Sequence, residues 1–214
     1  MVETHGDEYR KHARCPVCRL TPLLCVCATL PTIDLPVRVL LIQHHKERDK
    51  QSNTGRLAHR MLANSELVYF GSRDTPFDEE LLRQPETDYF VLHPLPGAVP
   101  LAPGGLDPAP GRRATLVVLD GTWRQARRMT SRVPGIAGLP FVTLPDDGRT
   151  PYQPRRAPAP GHYSTIDAIA NALRFAGHVE AADRMERVLR EIRPRLDHVR
   201  SRSRRSSLEG TQGE

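Results

Sequence analysis

The residues best placed to do chemistry are Asp120, Gly121, Thr122 and Trp123. They follow Thr115-Leu-Val-Val-Leu119, the clearest apolar run in the chain, and so read as the turn from a buried strand into a helix. In open α/β sheets, ligands bind beyond the carboxyl ends of the strands. An aspartate there suits proton transfer or the orientation of a substrate, and it equally suits a plain helix cap. Gly121 permits a tight turn, and Thr122 fits the N-cap position. Trp123 is the sole tryptophan and fits either a stacking wall or core packing. Arg124, Arg127, Arg128 and Arg132 crowd the next turns with no acid between them. Like charges four residues apart repel on a helix, whereas the same row suits a phosphate-bearing ligand. A merely solvated basic face would look the same.

A second constellation precedes it. Cys15-Pro-Val-Cys18 and Cys25-Val-Cys27 place all four cysteines of the chain within 13 residues. Four thiolates complete a tetrahedral zinc site and leave no open position, so such a zinc would be structural. The segment is too short to bury a core of its own, and metal binding would supply its folding energy. Reduced structural thiols and a redox pair are the other readings of these cysteines.

These groups need a scaffold, and the apolar periodicity describes one. Val37–Ile42, Leu67–Phe70, Tyr89–Leu92, Thr115–Leu119 and Phe141–Leu144 read as short buried strands. Asn53 or Thr54 is placed to cap a helix carrying Leu57, Met61 and Leu62 on one face. A helix should run from the Asp120 turn to about Arg132. Ser164-Thr-Ile-Asp167 opens another as a capping box with Asp in the usual Glu position, and Gly177 ends it. A last helix should span about 180–192, before Pro194 and a Ser/Arg-rich tail. The Pro/Gly-rich stretches 94–113 and 145–161 read as loops. Strands alternating with helices predict an α/β fold with a mostly parallel sheet. The expected organisation is a flexible leader at 1–14, a four-cysteine zinc-binding segment at 15–30, the α/β domain at 31–193 and a basic disordered tail at 194–214.

The chain has 214 residues, enough for one such domain. Its net charge of +6 fits a polyanionic partner, although many soluble proteins are mildly basic. No stretch approaches the 18 apolar residues of a membrane span, and residues 1–14 lack the apolar region of a secretory signal. The expected location is cytoplasmic, with no membrane partner, where clustered cysteines suggest metal more than disulfides.

At this point the residues resemble the DTW-domain family. Leu119-Asp120-Gly121-Thr122-Trp123 resembles its naming signature. The cysteine cluster is similar to its N-terminal block, and Gln43–Leu57, with His44, Glu47 and Asn53-Thr54-Gly55-Arg56, to its second. Leu92-His93-Pro94 resembles the third. Tyr152-x-Pro-Arg155-Arg156-Ala-Pro158, leading to Ser164-Thr165-x-Asp167-Ala168, resembles the last. His45 stands where the family usually has Pro, and Asp167 where it usually has Glu.

The resemblance implies a SPOUT-like fold with a knotted C-terminal half, which no residue pattern could reveal. It implies an aminocarboxypropyltransferase that moves the 3-amino-3-carboxypropyl group of S-adenosylmethionine to N3 of a uridine in tRNA, releasing methylthioadenosine. Asp120 would be the general base or orient the target base, and Trp123 would stack on that base or wall the donor. Leu92, Pro94, Leu119 and Leu144 would contact adenosine, with Thr122 beside them. Arg155, Ser164 and Thr165 would hold the donor's carboxylate. Arg56, Arg124, Arg127, Arg128 and Arg156 would face RNA, with added affinity from the basic tail, and His44 and His45 are further candidates for substrate contact. Cys15, Cys18, Cys25 and Cys27 would ligate Zn2+. A monomer is the expected state. The alternatives are a SPOUT-class RNA methyltransferase, which would release S-adenosylhomocysteine, and a non-catalytic zinc-containing RNA-binding protein.

Overall fold

A computed structural model describes residues 14–74, 76–145 and 164–209, with side chains of the last helix described as far as residue 197. The expected 145–161 loop, with Arg155 and Arg156, lies almost wholly outside the described residues, as does nearly all of the 1–14 leader.

Six strands form one parallel sheet: β1 (Arg38–His44), β2 (Ser65–Phe70), β3 (Thr87–Leu92), β4 (Val99–Pro100), β5 (Arg113–Asp120) and β6 (Phe141–Thr143). Their spatial order is β2-β1-β5-β3-β6-β4, and every pairing is parallel. The helices are α1 (Gly55–Met61), α2 (Trp123–Arg132), α3 (Thr165–Phe175) and α4 (Val179–Glu209).

Side chains of a strand alternate between faces, and β1 and β5 are apolar on both. Val39, Leu41, Leu116 and Val118 join one core with α1, α3, α4 and the cysteine segment. Leu40, Ile42, Val117 and Leu119 join a second core with Ala126 and Met129 of α2. Helices therefore cover both faces, the usual condition for a parallel sheet. This explains the continuous apolar runs of the two central strands.

Both helix starts that frame the site are capped by their own sequence. Thr122 and Gln125 form a capping box at α2, and Ser164 and Asp167 form one at α3. Gly177, at φ 102°, follows the end of α3. His178 N–H donates to Leu173 O and Gly177 N–H to Arg174 O, the two bonds of a Schellman stop.

Two expectations need correction. The last helix does not stop near residue 192 but continues past Pro194 to Glu209. A proline removes one backbone donor, but the buried stripe of Met185, Leu189 and Ile192 continues to Leu196 and holds the helix against the core. The 94–113 loop contains the two-residue edge strand β4, too short to show any periodicity. Among the described residues, no helix is long and apolar enough to cross a membrane.

Candidate active site

The carboxyl ends of β1, β3 and β5 converge on Asp120. The β1–β5 register sets Gln43 directly beside it. Gln43 Nε2 donates to Asp120 Oδ2 at 2.5 Å, and Asn53 Nδ2 donates to the same oxygen at 2.8 Å. Gln43 Nε2 also donates to Asn53 Oδ1, which accepts a further bond from Gly55 N–H. A reversed Gln43 amide would set its oxygen against the carboxylate, so the donor network fixes its orientation. On the other side, Thr165 Oγ1 donates to Asp120 Oδ1 at 2.5 Å. Asp120 is 2% exposed. Its charge is met by three neutral donors drawn from β1, from the turn before α1 and from the head of α3.

A pocket opens in front of this network, with about 550 Å³ of empty space, part of it open to solvent. Leu92, Leu119, Trp123, Ser164 and Thr165 line it, as do His93 and Ala168. Asp120 itself is not a wall: it lies behind Thr165. His93 is 6% exposed, with its ring centroid 5.9 Å from that of Trp123. Burial, reinforced by the Arg127 guanidinium, pushes its pKa down to about 4, so the imidazole is neutral near pH 7.

The four cysteine sulfurs lie within 4.8 Å of one another. Cys15 Sγ and Cys27 Sγ are 3.8 Å apart, and Cys18 Sγ and Cys25 Sγ are 3.7 Å apart. A tetrahedron with metal–sulfur bonds of about 2.3 Å has edges of about 3.8 Å, so the donor set fits a metal ion. Burial and the neighbouring thiols raise the pKa of Cys27, and burial raises that of Cys18. Burial opposes ionisation of Cys15 too, but hydrogen bonds from the Cys18 and Val17 backbone and from neighbouring thiols outweigh it and lower its pKa to about 7.

The DTW domain family matches residues 12–196 of this chain. The chain belongs to the DTW-domain family. It is 26% identical over 181 residues to tRNA-uridine aminocarboxypropyltransferase 2 of Drosophila melanogaster, an alignment covering 81% of this chain and 70% of that protein. No solved structure matches it.

Within this DTW-domain chain, the pocket brings together five of the expected site residues: Leu92, Leu119, Trp123, Ser164 and Thr165. Pro94 and Leu144 are not among its walls, and Leu144 is buried in the core. The Thr122 hydroxyl is engaged in capping α2. Arg56 is set apart from the exposed arginines. It is 7% exposed, and its guanidinium donates to the backbone oxygens of Glu47, Arg48 and Lys50. Arg56 holds the loop after β1. Arg124, Arg127, Arg128 and Arg132 are all exposed, and none forms an ion pair among the described residues. Gln43 and His93 carry no assigned role at the sequence level, and Asn53 only that of a candidate helix cap. Their membership of the second and third motif blocks is the available signal.

Proposed function

We propose that this DTW-domain protein transfers the 3-amino-3-carboxypropyl group of S-adenosylmethionine to N3 of a uridine in tRNA. The observation that carries this is the pocket at the strand ends, walled by Trp123 and backed by the buried Asp120 network. The likeness to a relative bearing the name of that activity supports the same reading.

The sulfonium of the donor activates three carbons, and pose decides which bond breaks. Here N3 of the uridine would bond to the γ-carbon of the methionine part as the γ-carbon–sulfur bond breaks. The bonding pair leaves on sulfur, and methylthioadenosine departs as a neutral thioether. Leu92 and Leu119 would pack against adenosine, and Trp123 would stack on the incoming base, as unstacked RNA bases do on aromatic rings. The neutral His93 adds no positive charge opposing the sulfonium. Asp120 is the final acceptor of the N3 proton. Arg155 would attract the donor's carboxylate. The exposed arginines of α2, with Arg156, would hold RNA phosphates.

The reading extends to the scaffold. The DTW domain takes the SPOUT-like, knotted form that the family resemblance implies, the four cysteines hold a structural Zn2+, and the protein works in the cytoplasm as a monomer.

The test is the identity of the small product. Purified protein, unmodified tRNA and S-adenosylmethionine should release methylthioadenosine in step with nucleoside modification. Release of S-adenosylhomocysteine would overturn the proposal.

A further inference from the structure

Thr165 occupies the position between the pocket and Asp120. It lines the pocket, and its hydroxyl proton is already given to Asp120 Oδ1 at 2.5 Å. A hydroxyl has one proton and two lone pairs, so Thr165 Oγ1, on a residue that lines the pocket, keeps lone pairs able to accept a hydrogen. Such an oxygen repels a carboxylate and matches an N–H donor. Ser164, the other hydroxyl at the head of α3, likewise donates to Asp167 Oδ2 at 3.0 Å. The two hydroxyl groups expected to hold the donor's carboxylate thus have no proton to offer it.

The rest of the network points the same way. Gln43 and Asn53 both donate to Oδ2, and Oδ1 faces Thr165 alone among the described residues. Oδ1, the oxygen joined to a pocket-lining residue, thus carries one donor where Oδ2 carries two. Thr165 is also the first residue of α3, where the helix field stabilises negative charge developing on its oxygen.

We infer that Thr165 is a proton relay between the target base and Asp120. This rests on the transfer reaction proposed above. As the uracil N3–H bond breaks, its proton passes to Thr165 Oγ1 while the original hydroxyl proton passes to Asp120 Oδ1. The threonine ends unchanged, and Asp120 ends as a neutral acid. The freed N3 pair forms the bond to the γ-carbon of the donor, and the γ-carbon–sulfur pair leaves on sulfur. Asp120 later returns its proton to water. Asp120 therefore acts without touching the base, and Thr165 is the catalytic residue in contact with it.

Single-turnover transfer from S-adenosylmethionine to tRNA tests this with Thr165→Val and Thr165→Ser. General acid–base steps contribute roughly 10²–10⁴-fold. Thr165→Val should lose at least about 100-fold in rate, with unchanged Kd for S-adenosylmethionine by equilibrium dialysis. Thr165→Ser should recover most of the rate. Two protons in flight should give the wild type a bowed rate curve across H2O/D2O mixtures, a readout that needs no variant and that a structural role would not move. Thr165→Val transfer within threefold of wild type, a selective loss of donor binding in that variant, or a linear proton inventory would each overturn the relay. Wild-type protein that binds both substrates and transfers nothing would overturn the transfer reading itself, and the relay with it.

Discussion

Gly55 lies so close to Asp120 that a β-carbon at position 55 would overlap Oδ2 of the carboxylate. Asp120 reaches its place because α1 begins with a residue that has no side chain. Asn53, two residues earlier, accepts the Gly55 N–H and donates to the same oxygen. The turn before α1 is thus built around the carboxylate.

Gly55→Ala should therefore act on the site more than on the fold. We expect transfer to fall at least about tenfold, since a displacement of about 1 Å costs on that order or more. The melting temperature should drop by roughly 2–12 °C, as about 1–3 kcal/mol of local overpacking implies. Single-turnover assays and thermal melts measure the two effects. Full activity in this variant would show that the position of Asp120 does not matter.

Part of the site is legible in the sequence. Asp120 and Trp123 stand out because an unbroken apolar strand ends at them, and the cap at Thr122 and the capping box Ser164-x-x-Asp167 can be read directly. The partners of Asp120 cannot. Gln43 reaches it through strand register, and Thr165 is 45 residues away. Local periodicity carries no information about which strands become neighbours. The setting of Arg56 is hidden for a related reason: nothing local in the sequence reveals its carbonyl partners. The end of α4 misleads because Pro194 is an intrinsic helix breaker, and only the burial of Leu196 reveals why the helix continues.

Burial of His93 makes stability depend on pH. Its pKa is about 4 in the folded chain, against an ordinary value of 6.5. The depressed value means that the unfolded chain takes up a proton first as pH falls. The stability penalty begins near pH 6.5 and grows until the folded pKa is reached. Between about pH 7 and about pH 5 it amounts to roughly 2 kcal/mol. Urea denaturation at the two pH values should show a smaller loss for His93→Gln than for wild type. Equal losses would mean that another group controls this window.

Metal in the cysteine cluster should be measurable. Purified protein should carry about one zinc per chain by elemental analysis. Cys18, the most buried of the four, should be the least replaceable. Cys18→Ser should lose the metal and lower the melting temperature by roughly 10 °C, because binding energy is folding energy in so small a segment. Metal-free protein with an unchanged melting temperature would favour reduced structural thiols.

Two classes of arginine should separate in tRNA binding. Arg124→Ala and Arg128→Ala should each weaken binding and reduce the log–log salt slope by about 1. Arg56→Ala should leave the slope unchanged and destabilise the fold by about 1–3 kcal/mol, because buried carbonyls lose their donor. Filter binding across salt concentrations, with urea melts alongside, makes the comparison. A reduced slope in Arg56→Ala would return that residue to the RNA surface.

The group that reaches the RNA distinguishes an aminocarboxypropyltransferase from a methyltransferase. S-adenosylmethionine labelled in its carboxyl group, and in a parallel reaction in its methyl group, should be incubated with the protein and unmodified tRNA. The account predicts that carboxyl label enters tRNA while methyl label leaves as methylthioadenosine. Methyl label in the RNA would contradict it and make the protein a methyltransferase.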